Sequence, residues 1–229
     1  MLFFTAVAVA AAIALFPIST RATRLIAVLL AVLLPLLAFR LLRRHRVLSG
    51  LALLPLLVGL VALLAPGRSY SASNLTSRYI AALRSYVGTR YVWGGETAIG
   101  IDCSGLVRKG LVNAAVVEGI RTANPALVRL AANIWWHDCS AAELARGYGG
   151  LTLNIATAPA IARMPDGFSM PGDLAVTRSG VHVLACVGTS TWIQADPVVN
   201  RVVVVDRSSP SSWLSQPVVL VRWRAMSGT

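Results

Sequence analysis

The distribution of apolar residues divides the chain into an N-terminal third without acidic side chains and a longer part with mixed patterning. Three apolar runs, at about 1–18, 22–42 and 47–66, approach the ~20 residues that a helix needs to cross a bilayer. Arginines are concentrated between these runs. We therefore predict a transmembrane region of three helices over residues 1–66. The competing interpretations are a two-span hairpin, a signal peptide at 1–18 and, least favoured, buried helices of a soluble protein.

After a polar linker at 67–75, the patterning of residues 76–229 changes from helical to extended. Apolar spacing predicts a helix up to about Tyr86 and another from Leu106 to Gly119. Irregular helical and loop-like material follows over about 121–169. Short runs rich in valine and isoleucine then predict strands at 173–177, 181–187, 191–196, 201–206 and 218–223. Helices followed by an antiparallel sheet indicate an α+β domain.

The charge distribution predicts where this domain lies. The formal net charge is +12, and seven arginines without any acid fall within residues 1–69. The densest basic loop, at 40–46, is expected to face the cytoplasm. Three helices then leave everything after Pro66 outside, so we expect a protein of the bacterial inner (cytoplasmic) membrane whose domain faces the periplasm or cell wall. A basic stripe with interleaved aromatic residues is missing, which argues against nucleic-acid binding.

Cys103 is the first candidate for chemistry, because it stands at the opening of the helix predicted from Leu106 to Gly119. Backbone N–H groups and the helix dipole at such a position favour the thiolate, which is the nucleophilic form. Cys139 and Cys186 complete an odd count, which fits either one reactive thiol with a disulfide pair or three free thiols. The cysteines and histidines are not clustered as zinc ligands usually are, so no metal is predicted.

A nucleophilic thiol needs a base, and the domain contains only His137 and His182. We favour His182, which begins a predicted strand after a glycine-containing turn. If the next strand pairs with it, Gln194 and Asp196 share a face close to this histidine. A side-chain oxygen there is expected to accept the imidazole Nδ1–H and leave Nε2 facing the thiol.

Four ordered motifs in this region resemble those of the NlpC/P60 cysteine peptidases. They are Tyr91-Val92-Trp93-Gly94-Gly95, Asp102-Cys103-Ser104-Gly105-Leu106, Pro171-Gly172-Asp173-Leu174 and His182-Val183. The resemblance covers about residues 76–206 and implies a papain-like fold that cleaves peptidoglycan stem peptides.

The resemblance also implies roles for single residues. Cys103 would be the nucleophile, His182 the general base and Gln194 the third residue, where the family often has a histidine; Asp196 is the fallback. Asp102 matches an aspartate that contacts the amine of the stem peptide in some members, although an acid at a helix start is also a common cap. The remaining expected substrate contacts are Tyr91, Trp93 and Ser104.

The sequence thus predicts a membrane-anchored cysteine hydrolase whose catalytic domain covers residues 76–229. It is expected to act on peptidoglycan peptides through an acyl-enzyme. It predicts no metal or organic cofactor and identifies no protein partner. A lipid-directed thiol acyltransferase or phospholipase of related fold and a non-catalytic papain-like binding module are the alternatives. The insertion at about 121–169 is interpreted as a lid, a substrate wall or additional core, with core favoured for Trp135 and Trp136.

Overall fold

The computed structural model describes residues 2–228, which begin with three apolar helices. These are α1 (Leu2–Leu15), α2 (Arg21–Leu41) and α3 (Arg46–Leu64). Helices α2 and α3 are long and apolar enough to cross a membrane, whereas α1 is shorter. A capping box between Thr20 and Thr23 begins α2. Helix α2 packs against both other helices.

Four helices of the second part follow: α4 (Ala72–Arg84), α5 (Cys103–Arg121), α6 (Pro125–Trp136) and α7 (Ala141–Ala145). Helix α4 starts four residues before the predicted boundary at 76, because the Ser71 side chain accepts the Asn74 N–H and begins the helix earlier. Helix α5 is buried along most of its length and packs against α4, α6 and the sheet. It therefore forms the centre of the domain.

A six-stranded antiparallel sheet covers one side of α5. A short hairpin of β1 (Glu96–Thr97) and β2 (Gly100–Ile101) precedes α5. The sheet strands are β3 (Thr152–Ala158), β4 (Leu174–Thr177), β5 (Val183–Cys186), β6 (Thr191–Asp196), β7 (Arg201–Asp206) and β8 (Val218–Trp223). Their order across the sheet is β3-β8-β4-β5-β6-β7. The prediction of helices followed by an antiparallel sheet is confirmed.

One strand of the six-stranded sheet was not predicted. Residues 152–158 lie within the stretch that we expected to be helical or loop-like, yet they form edge strand β3 and pair with β8 across a bulge. Only the edge position and the pairing with β8 supply hydrogen-bond partners for this weakly patterned segment, and neither is visible in local sequence.

Two apolar cores lie on opposite faces of the sheet. The larger one contains Cys103 and Cys139, and the smaller one contains Cys186. All three cysteines are free thiols, so the alternative of a disulfide pair is not realised. Of the two tryptophans expected in the core, Trp135 packs partly against the larger core, whereas Trp136 is 40% exposed at the end of α6.

Candidate active site

Cys103 is the first residue of α5, and Asp102 caps this helix. One Asp102 carboxylate oxygen accepts the Gly105 N–H at 2.6 Å and the Ser104 hydroxyl at 3.0 Å. The other oxygen accepts the Gly94 N–H at 2.8 Å. A Cβ at position 105 would overlap the carbonyl oxygen of Gly95, so glycine is required for this close approach. Asp102 thereby fixes the thiol-bearing helix end against the loop before it.

His182 lies directly before β5, and its backbone N–H is anchored by the Thr177 hydroxyl at 3.1 Å. Its Nε2 lies 2.7 Å from Oε1 of Gln194, and Nε2 of Gln194 donates to Oδ2 of Asp196 at 3.2 Å. The Asp196 carboxylate can only accept hydrogen bonds, so the Gln194 amide must direct its NH2 group towards Asp196 and its oxygen towards the imidazole. His182 must then carry its proton on Nε2 and keep Nδ1 as an acceptor.

This tautomer is the reverse of our sequence-based expectation. Nε2 of His182, not Nδ1, contacts the orienting residue, since Gln194 approaches the outer end of the ring from the neighbouring strand. Gln194 and Asp196 are also not alternative hydrogen-bond partners of the imidazole. Gln194 contacts His182 directly, and Asp196 orients Gln194.

Trp213 completes the surroundings of the imidazole, and sequence reasoning missed it. Its ring stacks on His182 with centroids 4.2 Å apart and an angle of 24° between the planes. Its indole N–H points to Oδ1 of Asp196 at 3.4 Å, and the same oxygen accepts the Val198 N–H at 2.7 Å. Trp213 lies 31 positions after His182, in a segment without a motif, so no local signal identifies it.

Burial keeps both reactive groups neutral at rest. Burial raises the pKa of the Cys103 thiol to about 12, and the Asp102 charge acts in the same direction. Backbone hydrogen bonds from Val183, Ser104 and Cys103 itself oppose this rise. Burial also lowers the pKa of His182, against opposing effects of Gln194 and Asp196. The expected thiolate at the helix start is therefore not the resting form, because desolvation outweighs the backbone dipoles.

The contact with Val183 brings the thiol beside β5, immediately next to His182. The helix start and the strand start are thus adjacent, although 79 positions separate Cys103 from His182 in sequence. A neutral thiol next to a neutral imidazole with a free ring nitrogen can act as nucleophile and general base.

A cleft of about 610 Å³ opens over Cys103. The residues expected to contact substrate all line it: Tyr91, Trp93, Asp102 and Ser104. Trp93 is 80% exposed at its edge, whereas the Ser104 hydroxyl is engaged in the helix cap. Burial raises the pKa of Tyr91 to about 12, and the adjacent Cys103 and Asp102 add to the effect, so its hydroxyl stays protonated.

The opposite wall of the cleft comes partly from the insertion. Residues 138–141 and Glu143, around the start of α7, line it together with Gly180 and Val181. Of the interpretations offered for the insertion, its middle part therefore forms a wall of the cleft. His137, the rejected base candidate, is exposed at the end of α6, where its Nδ1 lies 3.0 Å from the Asn133 carbonyl oxygen.

A buried charge network, which the sequence did not predict, connects the cleft to the N-terminal helices. Arg108 of α5 lines the cleft and donates to Glu96 and, at 2.6 Å, to Asp138. The second oxygen of Glu96 accepts from Arg24 of α2 at 2.8 Å. Arg24 is only 1% exposed and also donates to the Trp136 carbonyl oxygen. The Pro17 carbonyl accepts the Glu96 backbone N–H at 2.9 Å.

Comparison with known proteins identifies the family. A family model described as "NlpC/P60 family" matches residues 88–222. No curated protein matches the chain.

Solved structures resemble the chain at low sequence identity. The peptidoglycan hydrolase RipB from Mycobacterium tuberculosis is 18% identical, with a TM-score of 0.43 and coverage of 84% of this chain and 83% of that one. NlpC1 from Trichomonas vaginalis is 17% identical, with a TM-score of 0.43 and coverage of 69% and 46%. An NlpC/P60 family protein from Bacillus cereus is 17% identical, with a TM-score of 0.42 and coverage of 69% and 41%. The chain thus spans less than half of the last two proteins.

Proposed function

The chain belongs to the NlpC/P60 family, and we propose that it is a cysteine hydrolase that cleaves amide bonds in peptidoglycan stem peptides. The observation that carries the chemistry is the chain of contacts from Asp196 through Gln194 to His182, which leaves Nδ1 of His182 unprotonated, together with the contact of the Cys103 thiol with the backbone of Val183, the residue after His182. The substrate class follows from the family and from the open cleft above the thiol.

The first half of the proposed reaction starts from two neutral groups. His182 Nδ1 takes the Cys103 proton while the sulfur attacks the carbonyl carbon of the scissile amide. The carbonyl oxygen becomes an oxyanion, and the backbone N–H of Cys103 at the helix start stabilises it. The imidazolium then gives its Nδ1 proton to the leaving nitrogen as the C–N bond breaks. An amine departs, and a thioester remains on Cys103.

The second half restores the enzyme. His182 takes a proton from water, whose oxygen attacks the thioester carbonyl. The C–S bond breaks, the sulfur recovers a proton from the imidazolium, and a carboxylic acid is released. In both halves Gln194 accepts the Nε2–H of the transient imidazolium, and the Asp196 carboxylate polarises the Gln194 amide.

Substrate binding is assigned to the cleft side chains beside the thiol. Asp102 combines two roles in this proposal: it caps α5, and its carboxylate attracts the free amine of a stem peptide. Trp93 offers an exposed ring surface to the peptide. Tyr91 stays protonated next to Cys103 and can donate a hydrogen bond to substrate.

The proposal includes a membrane location with the predicted domain limits: a transmembrane region over 1–66, a linker over 67–75 and a catalytic domain over 76–229. Its support is that Pro17 of the α1–α2 connection and Arg24 near the start of α2 both contact Glu96, in the segment before Cys103. Three crossings put that connection on the same side of the membrane as the catalytic domain. The arginine-rich loop at 40–46 then faces the cytoplasm.

Incubation of the full-length protein with purified peptidoglycan, followed by mass spectrometry of the released muropeptides, tests the reaction. We expect new fragments with the wild type and with Cys186→Ala, which alters a thiol in the other core, but none with Cys103→Ala. Deacylation of phospholipid without muropeptide release would instead identify a lipid-directed enzyme. Inertness on both substrates, with a Cys103 that resists thiol reagents, would identify a binding module. A phosphatase fused after residue 229 tests the orientation and should be active only outside the cytoplasm.

A further inference from the structure

A second cavity, of about 490 Å³, lies between α1, α2 and the catalytic domain. Its volume is within the roughly 300–1,000 Å³ typical of sites for small ligands. Alanines of both helices, at positions 10, 27 and 31, line its apolar part and leave room between the helices. Its other end is polar and contains Glu96, Thr97 and Lys109. The cavity is therefore amphipathic along its length.

Lys109 is the feature of this cavity that points to a ligand. It is the only lysine of the chain, it is half-buried, and its ammonium has no hydrogen-bond or ion-pair partner among residues 2–228. The nearest acid, Glu96, already uses one oxygen for Arg24 and the other for Arg108. Burial lowers the pKa of Lys109, and Arg108 and Arg24 act in the same direction while Glu96 opposes them.

The local charge balance favours an anion. Three cations, Arg24, Arg108 and Lys109, face two carboxylates, Glu96 and Asp138, which leaves one positive charge uncompensated. A half-buried cation without a counter-ion is unfavourable, and an anionic group beside it relieves this cost. Lysine binds phosphate as a point charge and needs no bidentate geometry.

The whole cavity, from its polar end to its apolar end, is about as long as one leaflet is deep. The lining residues of α2 extend from Thr23 to Leu34, and eleven steps of 1.5 Å give about 16 Å along the helix. This length is close to half of the ~30 Å hydrocarbon thickness of a bilayer, the depth of one leaflet. The polar end lies where α2 begins, beside the catalytic domain, as a headgroup at the membrane surface requires.

We propose that this cavity binds one anionic phospholipid of the outer-facing leaflet, with its phosphate at Lys109 and an acyl chain between α1 and α2. The inference rests on the membrane location in the proposed function. Lys109 follows Arg108 in α5, and Glu96 lines both this cavity and the Cys103 cleft. A lipid bound here therefore contacts the catalytic domain next to its cleft and holds the domain at a fixed height and orientation above the membrane.

Native mass spectrometry of the full-length protein, titrated with phosphatidylglycerol or with phosphatidylcholine of the same acyl chains, tests this proposal. We expect one tightly bound phosphatidylglycerol per chain and weaker phosphatidylcholine binding. Lys109→Gln should weaken phosphatidylglycerol binding about fivefold, whereas Lys109→Arg and Arg163→Gln, which removes an exposed charge elsewhere, should not. Ala27→Leu fills the apolar part and should weaken binding of both lipids, whereas Ala22→Leu, on the exposed side of α2, should not.

Equal binding of the two lipids by the wild type, unchanged phosphatidylglycerol binding by Lys109→Gln, or retained binding by Ala27→Leu would overturn the proposal. Competition by glycerol phosphate at concentrations equal to the lipid would overturn it as well, because the site would then recognise a free phosphate. The titrations are repeated with Cys103→Ala. If the protein binds the lipid but does not cleave peptidoglycan, the lipid proposal stands and the proposed function fails. If the protein cleaves peptidoglycan but does not bind the lipid, only the lipid proposal fails.

Discussion

The direction of the Gln194 amide leads to a sharp prediction for Asp196→Asn. Oδ1 of Asp196 accepts the Val198 N–H at 2.7 Å, so an asparagine must keep its oxygen there and place its NH2 group where Oδ2 now lies. Two NH2 groups would then face each other unless the Gln194 amide turns over. After that turn, Gln194 presents an N–H to Nε2 of His182. The imidazole proton moves to Nδ1, and the ring can no longer accept the Cys103 proton.

The expected loss follows from the hydrogen bond that fixes the amide. A bond to a charged acceptor contributes about 1.5–3 kcal/mol, and each 1.36 kcal/mol corresponds to a factor of ten in rate. We therefore expect kcat/KM for muropeptide release to fall roughly 10- to 100-fold, with a melting temperature close to that of the wild type. Alkylation of Cys103 by iodoacetamide, measured with Cys139 and Cys186 replaced by serine, should slow in parallel because it needs the same proton acceptor.

A second substitution separates this explanation from a general loss of structure. Gln194→Glu in the Asp196→Asn background supplies a carboxylate that accepts both from the introduced asparagine amide and from Nε2 of His182, so it should recover activity. Gln194→Glu alone puts two carboxylates at a contact that now measures 3.2 Å, and one of them must hold a proton. It should therefore not improve on the wild type. Wild-type activity of Asp196→Asn, or no recovery in the double variant, would refute the amide argument.

Three further predictions follow from the pKa shifts, the charge network and the cleft. Burial lowers the pKa of His182 below its usual 6.5, so the acidic limb of the kcat/KM–pH profile should lie below pH 6.5, and a limb above pH 7 would contradict this. The free energy of unfolding should also decrease as the pH falls through 6.5, because only the unfolded state takes up the proton there. Arg24→Leu leaves one oxygen of buried Glu96 unpaired and should cost about 3–5 kcal/mol in urea unfolding in detergent, whereas exposed Arg21→Leu should be neutral. Trp93→Ala should raise KM several-fold and leave kcat within about twofold, since its exposed ring is expected to bind substrate without touching the reacting atoms; an unchanged KM would exclude that role.

The parts of the fold that sequence could predict depend on strong local patterns. The valine-rich runs at 201–206 and 218–223 identify strands because β-branched side chains fit a pleated surface, and both strands form. Cys103 could be assigned to a helix start because Asp102 is a common cap, and the cap forms. The period-2 spacing brought Gln194 to the correct face for contact with His182.

Long-range contacts decide what sequence could not predict. Strand β3 exists because β8 offers it an edge, and Trp213 reaches His182 only because the segment after β7 folds back over β6. The thiol is neutral at rest because of its burial, which is a property of the packed domain and not of the motif around Cys103. The imidazole tautomer depends on Asp196, two contacts away from the ring.

The contact between Arg24 and Glu96 indicates that the N-terminal helices do more than anchor the domain. A membrane tether needs no buried ion pair with the domain that it holds, and isolated buried charges are costly unless each has a partner. Here Glu96 pairs with one arginine from α2 and one from α5, and the same α5 begins at Cys103. The loop that Asp102 holds at Gly94 continues directly into Glu96. Displacement of α2 would therefore leave a buried carboxylate only half-paired beside the helix that carries the thiol. The N-terminal helices thus contribute to the shape of the cleft itself, and the isolated catalytic domain should be both less stable and less active than the full chain.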